Sequence, residues 1–149
     1  MGPPELLKRS AACEALRVAN IPALRSLSLL SKRWAGLDRP WGPGGSIGFE
    51  LATGRHVARA ESDLDIVIYA DKPMGVDEAR RLRDMTSNGF PTVVDVRVET
   101  PVCGFSLTEY ATRGPSPILL RMASGVVLGT DPWSPSGTGD ATHIAAKRT

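Results

Sequence analysis

Two aspartates, Asp63 and Asp65, open the run SDLDIVIY at residues 62–69. Side chains of an extended strand alternate faces, so Asp63 and Asp65 point one way while Leu64 and Ile66 point the other. Like charges on one face of an otherwise apolar strand repel each other and resist burial. A divalent cation would compensate them. Mg²⁺, or Mn²⁺ in its place, takes hard oxygen ligands from a few carboxylates and keeps the rest of its shell for water and substrate phosphates. Asp63 and Asp65 are therefore candidate catalytic and metal-binding residues. A bare D-x-D is equally the pattern of a solvated acidic turn at a strand mouth, so the pair needs support from elsewhere in the chain.

That support comes from TVVDVRVET at residues 92–100. Val94, Val96 and Val98 make one face of a second strand, and Asp95, Arg97 and Glu99 make the other. The polar face reads either as a solvated row with Arg97 bridging two acids, which is weakly stabilising, or as the source of a third carboxylate beside Asp63 and Asp65. Three carboxylates can hold two metal ions about 3.5–4 Å apart, the arrangement used for in-line displacement at phosphorus. Asp95 is preferred to Glu99 as third acid and third metal ligand, since it lies nearer the strand's start and is short enough to be held rigidly. The two are four residues apart, roughly 13 Å along a strand, and cannot both reach one metal pair unless the strand bends.

Seventeen residues before Asp63 stands Ser46, inside WGPGGSIGFELATG at residues 41–54. Glycines at this density let the backbone bend sharply or approach a ligand closely. Such a turn can aim several N–H groups, and a serine hydroxyl, at one point. No lysine follows the glycines, so it is not a Walker loop, and Ile47 occupies the place of the third glycine of a dinucleotide fingerprint. A glycine turn with serine, a D-x-D strand and an acid on a later strand instead describe a site that holds a leaving pyrophosphate together with its metals.

The surrounding elements must place these groups. Helices are expected over residues 4–19 and from Ile21 to Leu30, the second opened by Pro22. Arg39 to Gly48 reads as loop, and Ile47 to Thr53 reads equally as a short helix closed by Gly54 or as a strand. Leu64 to Tyr69 is a strand. VDEARRLRDMTSNG is an amphipathic helix with Val76, Ala79, Leu82 and Met85 inward and Asn88-Gly89 as its stop. Ser106 caps a short helix to Thr112, with Glu109 at the capping-box position. PILLRM and GVVLG are short strands joined at Ser124-Gly125, and residues 134–149 form a polar tail expected to be disordered. The order implies an α/β (α+β) fold, a small mixed sheet with helices packed on it. Residues 1–133 form one domain, of which residues 1–35 are a helical lead-in.

Composition narrows the function. With 42% hydrophobic and 23% charged residues the chain is an ordinary globular protein, and a net charge of +2 gives no reason to expect nucleic acid as a partner. Cys13 and Cys103 are ninety residues apart, which gives neither a zinc spacing nor a disulfide framework. No apolar run approaches the ~20 residues of a membrane span. Met1-Gly2-Pro3-Pro4 does not open a signal peptide, and Leu6 stands where myristoylation needs Ser or Thr. A cytoplasmic protein without a membrane partner is expected. His56 and His143 read as surface residues, and Trp41 and Trp133 as packing residues rather than adenine platforms. Arg121, after ILL, is a candidate phosphate contact through its planar fork. Lys8, Arg9, Arg17 and Arg25 offer a basic surface to an acidic partner protein.

Gly-Ser followed by Asp-x-Asp resembles the nucleotidyltransferase superfamily. More specifically, WGPGGSIGFELATG, ESDLDIVI, DVRVET, GFSLTEYA, ILLRM and DPW, in that order from Trp41 to Trp133, resemble the phosphoribosyl-dephospho-CoA transferases of malonate decarboxylase, also called its holo-acyl-carrier-protein synthases. The resemblance implies a nucleotidyltransferase-like fold. It also implies transfer of a phosphoribosyl-dephospho-CoA group from triphosphoribosyl-dephospho-CoA to a serine of the acyl-carrier subunit, with release of pyrophosphate. By position Asp63 and Asp65 would be the metal-binding catalytic pair, joined by Asp95. Gly44, Gly45 and Ser46 would contact the triphosphate. Family members usually carry another domain ahead of this region, where this chain has only a helical segment. The competing expectations are a nucleotidyltransferase with a different acceptor and a non-catalytic nucleotide-binding module; a D-x-D glycosyltransferase would be expected in a much longer chain.

Overall fold

The alternation in LDIVIY and VDVRVE is realised as two neighbouring parallel strands. A computed structural model describes residues 20–114 and 116–135. In chain order the elements are α1 (Pro22–Arg33), β1 (Trp41–Pro43), α2 (Gly45–Thr53), β2 (Leu64–Tyr69), α3 (Val76–Ser87), β3 (Val94–Glu99), β4 (Gly104–Ser106), α4 (Leu107–Arg113), β5 (Ile118–Met122) and β6 (Gly125–Gly129). The expected helix over residues 4–19 and the tail beyond residue 135 lie outside the described residues.

The six strands form one mixed sheet in sequence order. Only β2 and β3 run parallel, because α3 carries the chain back between them; the other neighbours are antiparallel. Leu64, Ile66 and Ile68 of β2 and Val96 and Val98 of β3 are buried, as are Phe105, Ile118, Leu120 and Val127 farther along. They share one core with Leu24 and Leu30 of α1, Ile47 of α2, Ala79 and Leu82 of α3, and Leu107 and Ala111 of α4. The helices therefore cover this face of the sheet. The alternate positions, Asp65, Tyr69, Asp95 and Arg97 among them, are exposed on the other face.

Three expectations change. Arg39–Gly48 is not all loop: Trp41, Gly42 and Pro43 pair with Ile68, Val67 and Ile66, and α2 begins at Gly45. Three residues carry no readable period, and the strand exists because β2 offers it a ladder; Pro43 is tolerated at the sheet edge, where its missing N–H needs no partner. The open choice over residues 47–53 resolves to helix, closed by Gly54 at φ 74. Met85 is 37% exposed, at the last turn of α3, rather than in the core. Elsewhere α1 runs one turn past its expected end, and β4 adds a strand that three residues could not announce. Half of the expected capping box forms: Ser106 Oγ accepts the Glu109 N–H at 3.2 Å, but Glu109 Oε1 accepts the Leu119 N–H at 3.1 Å instead of reaching back.

Candidate active site

The site follows from register on the open face. Across the parallel ladder Asp65 stands opposite Asp95, Val67 opposite Arg97, and Tyr69 opposite Glu99. Beyond β3 the row continues, with Arg97 opposite Ser106, Glu99 opposite Gly104, and Gly104 opposite Arg121. Apart from Tyr69, these residues border a cleft of about 560 Å³ whose other lip is formed by Gly44 and Gly45.

Gly45 is glycine for two reasons. Its φ is +57°, a conformation that costs other residues about 1–2 kcal/mol. A Cβ there would also overlap Asp65 Oδ2 and stand 3.2 Å from Asp65 Cγ. The backbone thus touches the carboxylate, while the Gly44 N–H donates to the Asp65 carbonyl at 2.8 Å. Within α2 the first backbone bond runs from the Gly48 N–H to the Gly44 carbonyl. The N–H groups of Gly45, Ser46 and Ile47 therefore precede the helical ladder, at the end where a helix favours anions. Farther along α2, Glu50 is buried and accepts the N–H groups of Val57 and Ala58 at 3.1 Å each, so it ties down the following loop and takes no part in the cleft.

Asp65 holds its proton more tightly than an ordinary aspartate. Partial desolvation is the main cause, the charges of Asp95 and Asp63 add to it, and Arg97 opposes it. The structure thus brings Asp65, Asp95, Gly44, Gly45 and Arg121 to one cleft. Asp63 is exposed just ahead of β2 and acts on Asp65 through its charge. Ser46 is half-buried in the first turn of α2, behind Gly45. Asp95, not Glu99, is the β3 acid beside Asp65; Glu99 lies 3.6 Å from Arg97 and against Gly104, where a Cβ would approach its oxygens to 2.7 and 2.8 Å.

The chemistry of the donor set suits Mg²⁺ or Mn²⁺. Asp65 and Asp95 are adjacent hard carboxylates that a cation would relieve. Among the described residues no group of three or more His, Cys, Asp or Glu forms a ready-made cage. Mg²⁺ needs none, because it is commonly held by one or two carboxylates and substrate phosphates.

Arg97 and Gly104 are cleft residues that reading the sequence did not single out. Alternation did place Arg97 on the polar face, but it read as a bridge between acids. At position 104 the glycine leaves room for the Glu99 carboxylate of the neighbouring strand, a contact that no local pattern carries. Trp133 is a packing residue: its Nε1–H donates to the Ala70 carbonyl at 2.8 Å and its ring lies 5.6 Å from that of Phe105. Trp41 packs edge-on against Trp34 at 5.2 Å. Lys8, Arg9, Arg17 and His143 lie outside the described residues. No helix among the described residues is long and apolar enough to cross a membrane.

Comparison with known proteins gives a consistent set of similarities. The family model described as phosphoribosyl-dephospho-CoA transferase MdcG C-terminal domain matches residues 7–132. A phosphoribosyl-dephospho-CoA transferase of Pseudomonas putida is 35% identical over 131 residues, 86% of this chain and 63% of the relative. One of Pseudomonas syringae pv. tomato is 35% identical over 121 residues, 81% of this chain and 56% of the relative. One of Azotobacter vinelandii is 34% identical over 114 residues, covering 74% and 53%. The chain thus spans roughly half to two thirds of the length of these curated relatives. No solved structure gives a significant match.

Proposed function

The chain belongs to the phosphoribosyl-dephospho-CoA transferase family, matching its C-terminal domain, and on that premise we propose that it transfers the phosphoribosyl-dephospho-CoA group from the triphosphoribosyl precursor to a serine of an acyl-carrier protein in the cytoplasm. The acceptor is the acyl-carrier subunit of malonate decarboxylase, and the chemistry is that of a metal-dependent nucleotidyltransferase. The observation that carries this reading is the register of β2 and β3, which sets Asp65 directly opposite Asp95 in a cleft edged by the Gly44-Gly45 turn.

In this reading the acceptor serine Oγ attacks the α-phosphorus. The new O–P bond forms as the bond from the α-phosphorus to the bridging oxygen breaks, and pyrophosphate departs with that electron pair. Asp95 takes the hydroxyl proton, the role of a general base within hydrogen-bond reach of the nucleophile. Asp65 and Asp95 would hold Mg²⁺, with Asp63 adding charge nearby, and the ion would supply neutralisation of the phosphate oxygens. The N–H groups at the start of α2, with Ser46, hold the departing pyrophosphate.

Mixing the chain with apo-carrier protein, triphosphoribosyl-dephospho-CoA and Mg²⁺ should raise the carrier's mass by the transferred group and release one pyrophosphate. Chelating the metal should stop the reaction. An unmodified carrier under saturating substrate and Mg²⁺ would refute the transferase reading.

A further inference from the structure

The cleft has two chemically distinct ends. At one, Asp65 and Asp95 meet the glycine turn. At the other, two residues farther along β3 and so about 7 Å away, stands Arg97, opposite Ser106, and in the next row of the same face Glu99 and Arg121 flank Gly104. Neither guanidinium donates a hydrogen bond within the described residues, and the approach of Arg97 to Glu99 at 3.6 Å is too long for one. Each thus presents a planar fork of N–H donors suited to phosphate. The carboxylates at this end are partly committed. Glu109 is turned to the Leu119 N–H, and Glu99 lies over Gly104, between the two arginines.

This end of the cleft also continues into apolar surface. Leu119 pairs with Leu128 and Arg121 with Val126, all on the open face. Leu119 is 49%, Leu128 43% and Val126 56% exposed. Two guanidinium forks that donate no hydrogen bond, one of them ion-paired with Glu99 at 3.6 Å, beside a strip of exposed aliphatic side chains match a phosphorylated ligand that continues as an uncharged chain. A bare nucleoside triphosphate has no second phosphate group to place there. A dephospho-CoA moiety has one, a diphosphate that leads into the pantetheine chain.

We infer that Arg97 and Arg121 form a second phosphate subsite that takes the diphosphate of the CoA-derived part of the substrate, with Leu119 and Leu128 flanking its pantetheine chain. This rests on the transferase reading and adds a direction to it: the triphosphate lies at the aspartates and the group to be transferred runs over β4 to β6. The two arginines thereby select a CoA-derived substrate over simpler triphosphates.

The test titrates the chain by calorimetry with two probes, 3′-dephospho-CoA for the arginine end and Mg²⁺-tripolyphosphate for the aspartate end. Arg97→Ala and Arg121→Ala should each weaken dephospho-CoA binding about tenfold or more and leave tripolyphosphate within twofold, with unchanged circular dichroism. Glu99→Gln should tighten dephospho-CoA several-fold, because it removes the carboxylate that competes for Arg97. If the arginine variants weaken tripolyphosphate and spare dephospho-CoA, the subsite is wrong while the transferase reading stands. If the wild-type chain binds tripolyphosphate but no dephospho-CoA, the CoA-derived substrate and the subsite fall together.

Discussion

The two faces of the sheet are made by the same strands and obey opposite rules. On the covered face Leu64, Ile66, Ile68, Val96 and Val98 are packed under the helices and almost wholly removed from water. On the open face the interleaved residues Asp65, Asp95, Arg97 and Glu99 crowd like charges and leave donors unused. The covered face repays the cost of folding the chain, and the open face holds groups that are unfavourable until something binds them. Stability and chemistry are therefore separated by one residue along each strand. Substitutions on one face should move melting temperature and those on the other should move turnover.

The sharpest test of that separation is Asp95→Asn. It keeps the side-chain shape and removes the proposed base, which is also a proposed metal ligand, so transfer should fall by about 10²–10⁴-fold with little change in melting temperature. Single-turnover formation of modified carrier measures it, with Glu99→Gln retaining most activity as the control. A dead Glu99→Gln beside an active Asp95→Asn would move the third acid four residues along β3.

The converse is Ile68→Ala. Ile68 is fully buried and faces away from the cleft, so the cavity should cost about 2–5 kcal/mol in denaturant unfolding. Activity per folded molecule should be unchanged, and a parallel loss of turnover would mean that the faces are coupled through β2.

Gly45→Ala tests a place where the backbone at the start of α2 reaches into the cleft. The positive φ alone should cost about 1–2 kcal/mol of stability, and the new Cβ should push Asp65 from its position. This variant should therefore lose both stability and triphosphate binding. Ser46→Ala should do less, weakening triphosphate binding by about 0.5–1.5 kcal/mol without affecting the fold. Equal binding by wild type and both variants would make the turn a linker.

The smallest effect concerns Asp65→Asn and pH. The carboxyl of Asp65 is raised above its usual 3.8 in the folded state by desolvation, Asp95 and Asp63. The folded chain therefore keeps this proton after the unfolded chain has lost it. Stability falls as pH rises from 3.8 through the folded-state value, and the loss persists at neutral pH. Asp65→Asn removes the penalty, so thermal melts should show it slightly more stable than wild type at pH 7, with the difference closing in acid. A less stable Asp65→Asn at pH 7 would mean that the carboxylate supports the fold.

Much of this was legible beforehand because it is periodic or chemically particular. Alternation in LDIVIY and VDVRVE determines both strands and which residues face together. The apolar spacing of VDEARRLRDM determines the crossover helix, and the crossover makes the two strands parallel. The Gly-Ser and D-x-D words, with the longer words around them, pointed to the family before any coordinates. The tertiary structure decided whatever depends on residues distant in sequence. Register chose Asp95 over Glu99 as the neighbour of Asp65, since both sit on the same face of β3 and only the pairing distinguishes them. Pairing with β2 made a strand of Trp41–Pro43, which has no period of its own. Contact across strands explained Gly45, pressed against Asp65, and Gly104, beneath Glu99. A sequence specifies the faces of its elements because side-chain direction is local. Which residues meet across those faces is settled only by strand pairing, and the chemistry of the cleft depends on that meeting.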